Sequence, residues 1–271
     1  MFLKDTCLIF FDNPISRFYI KLLLDYDIQD VKIIYLGSNK YNLFKKIYNY
    51  QRYNSQAANF LKNKNVINFV NEIEVFFNFP KDFCKEAYVY NNINKFNEIV
   101  FVNNNSINSS ECIQAINTIK SNKFLISNKE ILKEALKTNK RFFHIHPGFL
   151  PKIKGADGTL QQIYNFGSVG HSFLELNASI DSGKVFKRDK YEFQKLSANF
   201  KNFKLSEIYN IWFSFYDPLL RASMLRKLID QKLMIDELEE IDVKYEEQNY
   251  YSFIKKDDYK KIFFKIFKKL N

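Results

Sequence analysis

The chain is short of cysteine, arginine and long apolar runs, and each shortage excludes something. Three scattered cysteines, Cys7, Cys84 and Cys112, form no CxxC pair and cannot all pair off. A disulfide framework is therefore excluded, and a reduced, cytoplasmic compartment is expected. No apolar run approaches the roughly 18 residues that a membrane-spanning helix needs, so no transmembrane segment is expected. The run at 7–11 is shorter than the core of a secretion signal and stops at Asp12-Asn13-Pro14. Arginine supplies only six of the 41 basic residues (17, 52, 141, 188, 221 and 226). A formal net charge of +11 points towards phosphate partners such as nucleic acid, a nucleotide-linked substrate or an acidic membrane. Phosphate and base readers favour the arginine fork, however, and an excess of Lys, Asn, Ile, Phe and Tyr is what AT-rich coding produces. Nucleic acid is not the favoured partner.

The 46% hydrophobic and 26% charged residues are globular values, which excludes a disordered chain. The first 194 residues alternate between strand and helix patterns. Strands are expected at 7–11, 31–36, 66–70, 98–102, 124–126 and 141–145, with helices from Pro14 and at 112–119 and 129–138. Asn13 before Pro14 is a helix-start signal. A helix at 159–165, strands at 169–176 and 184–193, and a turn at Asp181-Ser182-Gly183 follow. The fold expected is α/β and Rossmann-like, a mostly parallel sheet with helices on both faces. From 195 to 271 the pattern turns mainly helical, with helices at 205–215 and 218–233, the second capped by Asp217. The chain thus divides into a catalytic domain at 1–194 and a C-terminal helical annex at 195–271.

All three histidines, His144, His146 and His171, fall between residues 144 and 171. His144 and His146 alternate at a strand end and so point to the same side. The loop that follows, HPGFLPKIKGADG, lies where ligands sit on such sheets, at the carboxyl end of a strand. Asp181 follows in a turn, and His with a carboxylate is a natural proton-transfer pair.

His144-Ile145-His146-Pro147-Gly148-Phe149-Leu150-Pro151, with Lys154-Gly155 after it, resembles the Asn-x-His-Pro-x-x-Leu-Pro…Gly loop of the folate-dependent formyltransferases. Gly170 and the later Asp181-Ser182-Gly183 resemble the second half of that signature. The likeness covers about residues 97–190. It implies a catalytic trio of His144, His146 and Asp181, with His144 standing where the family has Asn and Leu174 where it often has His. It also implies 10-formyltetrahydrofolate as co-substrate, with Asn177, Ala178, Ser179, Ile180 and Asn104 beside the folate, Lys154 and Gly155 on the substrate side, and no metal. By the same implication His146 stabilises the oxyanion and Asp181 holds its imidazole charged. No role carries over to His171.

Among the relatives, the methionyl-tRNA enzymes carry a C-terminal β-barrel and the purine-pathway enzymes end soon after the Asp-x-Gly. A mainly helical tail fits neither. The favoured acceptor is therefore the amine of a small substrate, a nucleotide-linked amino sugar first, with a homodimer open. Two other classes remain. His-x-His at a strand end is also a zinc pattern, which would make a metal-dependent hydrolase if His171 or Asp181 supplied a third ligand. Alternatively, a catalytically decayed formyltransferase scaffold could bind RNA or a membrane through the tail at 255–270. There Ile262, Phe263, Ile266, Phe267 and Leu270 form one apolar face opposite lysines.

Overall fold

Alternating apolar residues on short strands set the architecture. The structure, a computed structural model, describes residues 3–37, 56–89, 93–127, 130–244 and 249–270. Its main sheet contains β1 (Thr6–Phe11), β2 (Lys32–Leu36), β3 (Ile99–Val102), β4 (Lys123–Ile126), β5 (Arg141–His146), β7 (Ser168–Glu175) and β8 (Val185–Glu192), in the order β3-β2-β1-β4-β5-β7-β8. The five strands from β3 to β5 run parallel. β7 runs antiparallel to β5 and β8 antiparallel to β7.

Because strand side chains alternate, β1 feeds two cores. Leu8 and Phe10 pack with α1 (Pro14–Asp25) and α2 (Lys64–Phe76) on one face. Cys7 and Ile9 pack with α4 (Ser110–Thr118) on the other, where Cys112 and Ile116 are fully buried. All three cysteines are free and buried. The strand order reverses between β1 and β4, which opens a crevice at their carboxyl ends. There Asn13 caps α1, accepting from the Ser16 N–H at 2.9 Å, and its Nδ2 donates to the Ser127 carbonyl at 3.2 Å. This ties the start of α1 to the end of β4.

Several expected elements are different in the structure. The run at 66–70 is not a strand but lies in α2: Val66, Phe69, Val70 and Ile73 keep helical spacing on one buried face, behind an Asn63 cap. The helix expected at 129–138 is absent over 130–138, which holds only a short 3₁₀ turn at Ala135–Lys137 (Lys129 lies outside the described residues). Asn108 Oδ1 accepts from the N–H groups of Lys133 and Glu134, so these donors serve a neighbouring loop. Asp217 does not cap a helix. The chain stays helical from α6 (Leu205–Ile211) through a wide π turn at Trp212–Tyr216 into α7 (Asp217–Asp230), and Asp217 itself has φ −59° and ψ −46°. The widened turn accommodates Pro218, which has no N–H to donate.

α7 is buried on almost every side, and its Leu219, Leu220, Met224 and Leu225 belong to the same core as α1 and the sheet. The basic tail is not one helix. It forms a 3₁₀ turn (Lys256–Asp258), α8 (Tyr259–Ile266) and β11 (Phe267–Lys269), which pairs with β9 (Leu196–Asn199). Ile262, Phe263, Ile266 and Phe267 are buried in the protein's own core, so the apolar face that a lipid surface would need is already covered. Among the described residues no helix is long and apolar enough to cross a membrane.

Candidate active site

β5 delivers His144 and His146 to the carboxyl edge of the sheet, next to the end of β4. His144 Nδ1 lies 3.1 Å from the Ile126 carbonyl, which can only accept, so Nδ1 carries the proton. Its Nε2 lies 3.1 Å from Arg221 Nη1, which can only donate, so Nε2 is an acceptor. Both nitrogens are thus spent. Burial and the Arg221 cation push the His144 pKa down to about 3, which keeps this ring neutral.

His146 is buried, and its Nε2 donates to the Ile153 carbonyl at 2.9 Å. That bond turns Nδ1 towards Asp181, whose Oδ2 lies 3.5 Å away. Burial lowers the His146 pKa, and the nearby Asp181 charge only partly offsets it. Burial alone would raise the carboxyl of Asp181. The Gly155 N–H and the Arg221 charge, among the groups around it, hold it below the usual carboxylate range.

Two glycines make this placement possible. Gly155 sits at φ +92° and donates its N–H to Asp181 Oδ2 at 2.8 Å. A side chain there would collide with the Tyr251 carbonyl, because β6 (Lys154–Gly155) pairs with β10 (Tyr250–Tyr251). Gly183 packs against the Glu175 carbonyl, where a Cβ has no room. This close approach turns the 177–183 loop back over the cleft, with Asp181 at φ +48°. Asn177 braces the loop, accepting from the Ser179 N–H at 2.9 Å and donating to the Ser182 carbonyl at 3.1 Å.

The result is a cleft of about 300 Å³. His144, His146, Asp181 and the expected folate-side residues Asn177, Ala178, Ser179 and Ile180 all line it. Asn104 does not: its carbonyl accepts from Gly37 N at 2.8 Å and its side chain from the Ser106 N–H, in a turn of its own. Gly155 lines the cleft as a partner of Asp181, and the buried Lys154 turns its ammonium to Ser182 of the same loop. His171 lies elsewhere, fully buried, with Nδ1 3.0 Å from the Leu220 carbonyl and Nε2 facing Asp189. It fastens the β7–β8 hairpin to α7.

The tail supplies cleft residues that the sequence did not single out. Asp217 and Arg221 enter from α7 as a buried pair at 2.9 Å, and Tyr250 and Phe253 enter beside β10. The available signal was the Asp-x-x-x-Arg spacing in a stretch, 217–225, that carries no other charge. Arg221 also changes the reading of His-x-His. With Nε2 of His144 facing a guanidinium, the two histidines do not present a ligand pair to a dication. Among the described residues no cluster of three or more His, Cys, Asp or Glu could hold a metal ion.

No family model and no curated protein matches the chain. The solved structures it is similar to include formyltransferases. One is a sugar N-formyltransferase from a Shewanella species, 15% identical over 91% of this chain and 76% of that one, with a TM-score of 0.49. Another is an N-formyltransferase from Helicobacter canadensis in complex with folinic acid and dTDP-3-aminofucose, 14% identical over 93% and 71%, with a TM-score of 0.47. A third is the methionyl-tRNA formyltransferase of Clostridium thermocellum, 16% identical over 71% and 70%, with a TM-score of 0.40.

Proposed function

We propose that this chain is an N-formyltransferase that moves the formyl group of 10-formyltetrahydrofolate to the amine of a nucleotide-linked amino sugar. The observation that carries the reading is the His146–Asp181 pair at 3.5 Å, which joins the carboxyl end of β5 to the 177–183 loop, the two segments whose sequences resemble that family. The character of the cleft supports this co-substrate. Its volume is that of a small-molecule site, and Ile126, Leu132, Leu176 and Ile180 give it apolar walls for a flat aromatic head group.

The neutral amine attacks the formyl carbon, and the carbonyl π pair moves onto oxygen. The amine proton passes to His146 Nδ1, whose lone pair is exposed by the Nε2 bond to Ile153, and Asp181 stabilises the imidazolium that forms. Collapse of the oxyanion breaks the bond from carbon to N10, and the proton held at Nδ1 is delivered to N10. The products are a formamide and tetrahydrofolate.

The test is to incubate the protein with 10-formyltetrahydrofolate and a panel of dTDP- and UDP-linked amino sugars, following tetrahydrofolate release by absorbance. Turnover on at least one acceptor is expected. No turnover on any of them, with no heat of folinic acid binding by calorimetry, refutes the reading.

A further inference from the structure

We infer that Arg221, reaching the cleft from α7, is the donor that stabilises the oxyanion, through its Nη2. This rests on the formyl-transfer reading and assigns a role within the same site.

The N–H groups closest to the two histidines are already committed. The attacked formyl oxygen takes up negative charge and needs an N–H aimed at it. His144 cannot supply one: its single N–H is bound to Ile126 and its Nε2 accepts from Arg221. His146 in its neutral form carries its only proton on Nε2, held by Ile153. The Gly155 N–H is bound to Asp181. Arg221 donates Nε to Asp217 at 2.9 Å and Nη1 to both His144 and the Ile145 carbonyl. Its Nη2 has no hydrogen-bond partner among the described residues, although the side chain is mostly buried and lines the cleft.

The guanidinium is also anchored as such a donor should be. Asp217 and Ile145 fix the plane of the fork, and His144 adds a third contact, so little motion remains to be frozen when charge develops. Burial first, and the cation after it, lower the pKa of both His144 and His146, which leaves the site's fixed positive charge on Arg221. The labour is then divided: as the amine nitrogen bonds to carbon, Arg221 Nη2 receives the carbonyl electron pair's charge, and His146 receives the proton.

The test compares wild type with Arg221→Lys, which keeps a cation against Asp217, and with the neutral pair Asp217→Asn/Arg221→Gln, which strands no buried charge. For both, a kcat loss of about 100- to 1000-fold is expected, with KM for 10-formyltetrahydrofolate and folinic acid affinity changed by less than about threefold. Guanidinium chloride at tens of millimolar is expected to restore part of the activity of Arg221→Ala. Retention of kcat within about threefold by either folded variant overturns the assignment while leaving the formyl-transfer reading intact. A wild-type protein with no turnover across the acceptor panel overturns the underlying reading, and the assignment with it.

Discussion

Replacing Asp181 by Asn removes one charge from the cleft and almost nothing else. The amide oxygen can still accept the Gly155 N–H, now at 2.8 Å, so the loop keeps its anchor. What disappears is the attraction between a carboxylate and the imidazolium that forms on His146, 3.5 Å away. With an effective dielectric of about 20, two unit charges at that separation interact by roughly 5 kcal/mol. Polarisation of the amide and water entering the cleft return part of this. A net loss of about 3–4 kcal/mol of transition-state stabilisation remains, which corresponds to a 100- to 1000-fold drop in kcat. The effect should appear in kcat, because the imidazolium exists only during turnover, while folinic acid binding should change little. The assay is initial rate at saturating 10-formyltetrahydrofolate, with circular dichroism and thermal unfolding showing that the fold is intact. Undiminished transfer by a folded Asp181→Asn protein refutes the proton-transfer role of the pair.

Gly155→Ala should cost more than its single carbon suggests, since φ +92° and contact with the Tyr251 carbonyl both oppose a side chain; activity lost together with protease sensitivity around residues 249–255 is the expected signature. Phe263→Ala empties a fully buried position under the tail and should lower unfolding stability by about 3–5 kcal/mol in urea, with no change in binding to acidic vesicles. Acid should destabilise the protein before its carboxylates titrate. His144, His146 and His171 all have folded pKa values below the unfolded ~6.5, so the unfolded state binds more protons and stability falls as pH drops below ~6.5. The slope should reach about 1.4 kcal/mol per pH unit for each histidine that stays neutral, and an unfolding midpoint unchanged between pH 7 and pH 5 would contradict the buried neutral rings.

The seven strands of the main sheet and the first half of the site were legible in the sequence because they depend on local signals. The run at 98–102, the Asn13-Pro14 start and the alternation of His144 with His146 each act within a few residues. The same local reading misplaced 66–70, where a short apolar run fits a strand as well as one face of a helix, and only the extension to Ile73 reveals the 3.6 period. It also misplaced 130–138, where the deciding partner is Asn108, more than twenty residues away in sequence. The tail's share of the cleft was out of reach for the same reason. Nothing near residue 221 in sequence says that its neighbour in space is residue 144.

His144 and Arg221 belong to one arrangement, and its parts depend on each other in order. An imidazole at 144 can span two partners at once, donating from Nδ1 to Ile126 and accepting at Nε2, which an asparagine side chain, being shorter, reaches less readily. The second partner has to be a donor, and here it is a guanidinium. A guanidinium this deeply buried needs a counter-charge, because an unpaired buried cation costs several kcal/mol. Asp217 supplies it from one turn earlier on α7. To point at Arg221, Asp217 must itself be helical, so it cannot act as the cap that the following Pro218 suggests, and the chain reaches it through the π turn at Trp212–Tyr216. The π turn, the uncapped aspartate, the buried arginine and the histidine at 144 are therefore linked consequences of placing one cation at the end of β5. Changing His144 to Asn alone should leave Arg221 in place through Asp217 and Ile145 but free its Nη1 from the ring. The variant should keep substantial activity, whereas loss of Arg221 should not be compensated by any residue at 144.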